Sequence, residues 1–212
     1  MNDDAKIKAV VFDLDGVYFE NGTESFVNAL KRNYGLGQNK IEEIYFYSDE
    51  IKKLKRGQIS SADFWRFAVS QWGIDATRKE LVEMMLAGYS IHEQTMAYVV
   101  KLREAGVKTA VCTNNFSDRL EGLKEKFGLG CHFDTIVSSH ELGVTKPDSR
   151  IFHHLAGKLG LPPNRIVMSD DKQSNIVALR ALGFEAFLYE GWDDFAKRVN
   201  CLLGGGVDHL SL

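Results

Sequence analysis

An α/β fold built on a parallel sheet is what this sequence predicts, and three observations carry that reading. Short apolar runs recur along the chain, each followed by a stretch of helical periodicity. Four of those stretches end alike, at a glycine followed by an apolar residue. One long interval near the start breaks the rhythm, with helix after helix and no strand between.

The first run, Ala9–Phe12, leads straight into Asp13. Next comes Tyr18-Phe19-Glu20-Asn21-Gly22-Thr23, whose Asn-Gly pair signals a hairpin turn, so a small flap is expected to leave the first strand. Helical periodicity then covers Glu24–Tyr34, Lys40–Arg56, Ser61–Trp72, Arg78–Ala87 and Ile91–Glu104. The last of these runs into Val107 and the second strand, Thr109–Cys112, and belongs with the sheet. More than 90 residues separate the first two strands, and the other four helices are too many for one crossover. Residues 20–88 are therefore expected to form an inserted α-helical cap domain, with 1–19 and 89–212 as the core.

Three further strands follow, Thr135–Val137, Arg165–Met168 and Glu185–Tyr189, alternating with helices. Short apolar strands of this kind suit a Rossmann-like parallel sheet covered on both faces. Gly106, Gly128, Gly160 and Gly183 precede Val107, Leu129, Leu161 and Phe184, the signature of a helix stop next to the following strand. Phe64, Trp65 and Phe67 are expected to fill the cap interior and Cys112 the core. His153 and His154, adjacent on one helix, cannot share a face and read as surface or packing residues. The tail from Gly204-Gly205-Gly206 onward is expected to fray.

Composition narrows the function classes. The 212 residues are 44% hydrophobic and 26% charged, average for a soluble globular chain, which excludes disorder over most of its length. The net charge of −3 supplies no global basic field, so a nucleic-acid partner is not expected. Cys112, Cys131 and Cys201 are odd in number, far apart and without a CxxC, which disfavours a disulfide framework and a cysteine zinc site. MNDDAKIKAVVFDLDG is neither a signal peptide nor a membrane span, so a reducing, cytoplasmic setting and no membrane are expected. A monomer and a homodimer are equally compatible with the sequence.

Ligands of an open parallel sheet bind beyond the carboxyl ends of its strands. Asp13 and Asp15 follow the first strand; Thr113, Asn114 and Asn115 the second; Lys146-Pro147-Asp148 the third, after a short stretch. Asp170, Asp171 and, one turn on, Asn175 follow the fourth. Carboxylates gathered this way repel one another unless a hard cation joins them, and oxygen ligands without histidine favour Mg²⁺ over zinc. Lys146, the Thr113 hydroxyl and helix N-termini add what a phosphoryl group requires, and a carboxylate beside it can attack phosphorus. Taken singly, Thr113-Asn114 also fits a helix cap, Lys146-Pro147 a helix start and Asp170-Asp171 an N-cap with dipole-favoured charge. Such local roles do not explain the same set in order, each at the end of its own strand. Asp13, Asp15, Asp170 and Asp171 alone carry −4, so the rest of the chain sums to +1.

FDLDGV, CTNN, TKPD and SDDKQSN resemble, in that order, the four motifs of the haloacid dehalogenase superfamily, and the helical interval resembles the cap of its type-1 members. The similarity runs over residues ~7–200; KRGQISSADFW, KLREAGVKTAVCTNN and LGVTKPDSRIF are most similar to glucose-1-phosphatase-like phosphatases and to the N-terminal phosphatase domain of soluble epoxide hydrolase. The resemblance implies a Mg²⁺-dependent phosphatase acting on a small phosphate ester, such as a sugar phosphate, through a phospho-aspartate. It implies that Asp13 is the nucleophile and Asp15 the general acid and base. Asp13, the Asp15 carbonyl and Asp171 would hold Mg²⁺, with Asp170 as ligand or support. Thr113, Asn114 and Lys146 would bind the phosphoryl group, Lys146 pairing with the nucleophile as well, and Asn175 would support Asp171 or Lys146. A dehalogenase needs no acid at Asp15, whereas the leaving alkoxide of a phosphate ester needs a proton. A phosphomutase, or a catalytically silent binding or regulatory protein on the same fold, are the alternative readings.

The cap carries a weaker signal. Lys52, Lys53, Lys55 and Arg56 crowd the end of one predicted helix. They read either as a solvated last turn favoured by the helix dipole or as a cap edge over the site. In the second reading Lys55, Arg56, Gln58 and Ser60 are candidates for substrate selection.

Overall fold

The computed structural model describes residues 7–204; the tail beyond Gly204 lies outside the described residues. Its strands are β1 (Ala9–Phe12), β2 (Phe19–Glu20), β3 (Ser90–Ile91), β4 (Lys108–Thr113), β5 (Thr135–Ser138), β6 (Ile166–Asp170) and β7 (Glu185–Leu188). Five of them form the expected parallel sheet in the order β5-β4-β1-β6-β7. The chain fills one side of β1 first and then returns to fill the other. Beside β1 the order therefore reverses and opens a crevice at the carboxyl ends.

Period-2 alternation divides each central strand between two cores. Val10 and Phe12 face one side with Val111, Val167 and Phe187; Ala9 and Val11 face the other with Ala110, Cys112 and Met168. The second face is covered by α10 (Ser149–Leu159) and α11 (Gln173–Ala181). Residues Ile151, Phe152, Leu155 and Leu159 make a single buried stripe on α10, and each such side chain contributes roughly 1.5–3 kcal/mol of burial. The Asp148 carboxylate caps that helix from the Arg150 N–H at 2.9 Å, and Gly160 closes it at φ 64°. The first face is covered by α6 (Glu93–Glu104), α7 (Ser117–Phe127), the short α8 (Leu129–His132) and α12 (Trp192–Leu202).

A helical insert separates β1 from β4. It holds α1 (Gly22–Tyr34), α2 (Gln38–Glu42), a π-helical turn over Glu43–Tyr47, α3 (Asp49–Lys55), α4 (Ser61–Trp72) and α5 (Arg78–Ala87). Phe64 and Trp65 are buried within it, Phe67 is partly covered, Cys112 is fully buried in β4, and His153 and His154 are exposed. The insert is tied to α7 by Arg78, which donates to both Asp118 oxygens at 2.9 and 2.5 Å, and by the Trp65 indole, which donates to the same carboxylate at 3.1 Å. Among the described residues no helix is long and apolar enough to cross a membrane.

Three local expectations are corrected. No hairpin forms at Asn21-Gly22: Phe19–Glu20 pairs antiparallel with Ser90–Ile91, and Asn21, at φ 64°, starts α1 instead. The tight turn lies earlier, where Phe19 N–H donates to the Leu14 carbonyl at 2.8 Å. The stretch Lys40–Arg56 is not one helix, because Ser48 is extended at ψ 156°. Its hydroxyl accepts from Ile51 N–H and donates to the Ile44 carbonyl, capping one segment as the other ends. Finally, Ile91 belongs to β3, and α6 starts after His92, whose ring accepts from Thr95 N–H.

Candidate active site

The carboxyl ends of the strands bring the sequence-predicted residues together. Asp13 follows β1, Thr113 ends β4, Asp170 ends β6 and Asp171 comes next. Lys146 reaches in from the loop between α9 (Ser139–Leu142) and α10. Its ammonium, almost fully buried, lies 3.0 Å from Asp13 Oδ2 and 2.6 Å from Asp170 Oδ2. Burial alone would strip its proton; the two carboxylates outweigh that and hold its pKa above the ordinary lysine value.

Asp170 is fixed on every side. Its Oδ1 accepts from Lys172 N–H at 2.9 Å and from the Asn175 amide at 2.7 Å, while Oδ2 accepts from Lys146. Burial pushes its pKa up, but Lys146 and these hydrogen bonds prevail and leave it below the usual value. Asn175 thus supports Asp170 rather than Asp171. Asn114 is spent differently from the expectation. Its Oδ1 accepts from Lys146 N–H at 2.7 Å and its amide donates to the Lys146 carbonyl at 3.0 Å. The side chain clamps the lysine's backbone.

Asp13 accepts from Leu14 N–H at 2.8 Å and pairs with Lys146, yet is not neutralised. Burial raises its pKa first; Lys146 works against that, and Asp170 and Asp15 add repulsion, leaving it raised. Burial likewise raises Asp171. Oxygens of Asp13, Asp170 and Asp171 lie within 4.8 Å of one another, and Asn175 Oδ1 is buried without a partner. An oxygen-only cluster with surplus negative charge fits a hard divalent cation such as Mg²⁺.

Asp15 turns away from that cluster. Its Oδ2 accepts from the Arg119 guanidinium at 2.8 Å and its Oδ1 from the Tyr89 hydroxyl at 3.0 Å. Burial opposes the charge on Arg119, yet Asp15 and neighbouring groups hold its pKa above the ordinary value. Asp15, Tyr89 and Asp171 line a cavity of about 360 Å³ together with Phe19, Glu20 and Glu24. Among the described residues no basic side chain lines it.

Of the four insert candidates, only Lys55 has the site as its surroundings. It is half-buried, with its pKa brought down to about 8 by burial and by Arg119, against the pull of Asp15 and Asp13. Arg56 and Gln58 are exposed and line an outer groove with Thr145, Asp148 and Arg150. Ser60 is the N-cap of α4, accepting from Asp63 N–H at 3.1 Å. Lys52 and Lys53 pair with Asp49 and Glu50 on the solvated face.

Sequence reasoning missed Arg119, Tyr89 and Ser139, and it gave Asn115 no role. Asn115 Oδ1 accepts from Arg119 Nε at 2.6 Å, an i,i+4 pairing legible once α7 is drawn. Tyr89 and Ser139 left no signal, since each meets its partner across the tertiary structure.

Comparison with known proteins follows the same lines. Residues 7–183 match a family model described as haloacid dehalogenase-like hydrolase. The chain is 25% identical over 205 residues to bifunctional epoxide hydrolase 2 of Mus musculus, a match covering 86% of this chain and 36% of that protein. It therefore spans little more than a third of that relative's length. It is 24% identical over 210 residues to the D-ribitol-5-phosphate phosphatase of Bacteroides thetaiotaomicron, covering 93% of this chain and 98% of that protein. Among solved structures, a HAD family enzyme from Bacteroides thetaiotaomicron in complex with magnesium and inorganic phosphate superposes with a TM-score of 0.76 at 21% identity. That superposition covers 89% of this chain and 98% of the other, and at such identity it shows the shared fold.

Proposed function

The chain belongs to the haloacid dehalogenase-like hydrolases, and from that premise we propose a Mg²⁺-dependent phosphatase that hydrolyses a small phosphate ester, such as a sugar or polyol phosphate, through a phospho-aspartate. The observation that carries this reading is the separation of Asp13 from Asp15. One carboxylate sits in the oxygen cluster beside Lys146; the other turns to the cavity, where a leaving group would lie.

Asp13 attacks phosphorus, forming an Asp13–phosphoryl bond as the bond from phosphorus to the ester oxygen breaks. Asp15 gives that oxygen its proton. A water then attacks the phosphorus, Asp15 takes the water's proton, and inorganic phosphate leaves with Asp13 restored. Lys146 holds Asp13 in line and offsets charge on the phosphoryl oxygens. The Thr113 hydroxyl and the main-chain N–H of Asn114 supply further donors. Asp13, Asp171 and Asp170 would hold Mg²⁺, which when bound neutralises phosphoryl charge. Asn175 keeps Asp170 in place for that task.

The cavity supports an uncharged, hydroxyl-rich leaving group. Glu20 and Glu24 at its wall would repel a second phosphate or a carboxylate. The likeness to D-ribitol-5-phosphate phosphatase agrees with that chemistry. The insert, as a cap, would exclude bulk water and limit substrate size.

The test is a Mg²⁺-supported phosphate-release screen over phosphorylated sugars, polyols and dianionic diphosphates, run with wild type and Asp13→Asn. Release by the wild type, and none by a variant with an unchanged melting curve, is the expected result. Turnover undiminished in Asp13→Asn would sink the assignment. Transfer of the phosphoryl group to another sugar hydroxyl without release would replace it with a mutase.

A further inference from the structure

Asp15 is held from two sides that differ in kind. Arg119 approaches from the interior; its side chain is only 6% exposed, and it does not line the cavity. The guanidinium is itself locked, with Nε donating to Asn115 Oδ1 at 2.6 Å and the Phe116 ring 5.3 Å from Cζ. Asn115 in turn donates its N–H to Ser139 Oγ at 3.0 Å, and that hydroxyl donates to the Lys55 carbonyl of the insert at 2.6 Å. Tyr89, just as buried, lines the cavity, and its hydroxyl donates to the Asp15 carboxylate in a longer bond that joins one charged group instead of two. An ion pair to a locked guanidinium is the one that persists, and a single hydroxyl bond in the cavity wall is the one a ligand oxygen displaces.

From this asymmetry, and resting on the phosphatase reading, we infer that Arg119 is the positioning residue of Asp15: it anchors Oδ2, so that Oδ1 is the oxygen that exchanges the proton with the leaving group. In the free enzyme the Tyr89 hydroxyl occupies the place of the substrate's ester oxygen. In the first half-reaction the proton passes from Asp15 Oδ1 to that oxygen as the bond from phosphorus to it breaks. In the second, Oδ1 receives a proton from the water that attacks phosphorus. Arg119 touches neither substrate nor phosphorus and acts only through Asp15.

A positioning role of this kind shows in how rate depends on the leaving group. 4-Nitrophenyl phosphate releases a stable phenolate and needs little help from an acid, whereas a simple alkyl phosphate needs the proton. Both esters are assayed with Mg²⁺ for wild type, Arg119→Lys, Arg119→Gln and Tyr89→Phe, each checked by its melting curve. In the Arg119 variants kcat is expected to fall roughly 10²–10³-fold on the alkyl ester but about tenfold or less on the aryl ester. Tyr89→Phe is expected to keep the wild-type ratio between the two. Equal losses on both esters by a folded Arg119→Lys, or a selective loss in Tyr89→Phe instead, overturn the inference and leave the phosphatase reading standing. If Arg119→Gln fails to fold, Arg119→Lys decides, since it keeps the charge and loses the fork that fixes the carboxyl. No release from either ester by the wild type overturns the phosphatase reading, and this inference with it.

Discussion

Replacing Lys146 by methionine removes the ammonium that two buried carboxylates share. Its nitrogen lies 3.0 Å from Asp13 and 2.6 Å from Asp170, and the two carboxylate side chains are 13% and 0% exposed. The methionine fills nearly the same volume, so the loss is electrostatic. Breaking a buried pair from one side costs about 3–5 kcal/mol. For a chain of this size each kcal/mol moves Tm by about 2–4 °C, so without divalent cation Lys146→Met should melt about 6–20 °C lower at neutral pH. The deficit has a defined pH dependence. Asp13 is already raised in the folded state by burial, and losing Lys146 raises it further. Such a group adds stability below the unfolded carboxylate value and loses it as pH rises through the folded value. Asp170, held low in the wild type against burial by Lys146 and its hydrogen bonds, contributes stability above the unfolded value that is lost on acidification. In the variant that contribution shrinks. Both effects make the deficit large at neutral pH and small below about pH 4. Thermal melts from pH 4 to 8 measure it, and millimolar Mg²⁺ should recover part of it, because the cation offsets the same carboxylates. A Tm within 2 °C of wild type at pH 7, or a deficit equal at every pH, would refute the reasoning.

Two further outcomes follow from the insert. The Lys55 pKa, about 8 because of burial and Arg119, means that its charge is lost over the slightly alkaline range. KM for a phosphate ester should therefore rise as pH climbs through about 8 in the wild type, while Lys55→Met shows a higher KM with no step there. Because the folded value lies below the unfolded 10.5, the charged form opposes folding, and Lys55→Met should gain in Tm over wild type at pH 7 but not above pH 10.5. A wild-type KM that stays flat across that range contradicts this. At Gly22, an added Cβ would lie 2.4 Å from the Tyr89 ring, so Gly22→Ala should cost about 1–3 kcal/mol in thermal melts. Combining it with Tyr89→Ala should return less than the sum of the two losses; strict additivity would show that the ring gives way freely.

The sheet and its strand ends were legible because one physical rule fixes both. Parallel strands of four to six residues, pinned at Ala9–Phe12, Lys108–Thr113 and Ile166–Asp170, deliver whatever follows them to one edge. Asp13, Thr113 and Asp170 needed no tertiary knowledge to be placed together. The break at Ser48 was hidden because Ile44 and Ile51 keep the apolar rhythm across it, and periodicity does not register a side chain that caps one segment while ending another. Asn114 was assigned to the anion because its position suits that task; its amide was spent instead on Lys146, a residue 32 positions away, which only the folded loop reveals.

The largest omission concerns charge, and it changes the chemistry inferred. Counted from the sequence, Asp13, Asp15, Asp170 and Asp171 form a patch of −4 relieved only by Lys146. In the fold Arg119 pairs with Asp15, and Lys55 stands in the combined field of Arg119, Asp15, Lys172 and Asp13. With the exposed Lys172 counted, four cations then sum to the charge of these four carboxylates, although Lys146 alone serves both Asp13 and Asp170. Such a site is not simply an acidic cup waiting for metal. A divalent cation added to a balanced set leaves a surplus of two positive charges, the charge that one phosphoryl dianion removes. A substrate with a second anionic group would have no counter-charge left, and it would face Glu20 and Glu24 across the cavity. The proposed preference for a monophosphate on a neutral leaving group is thus the outcome expected from the charge of the whole pocket, a property that no single motif encodes.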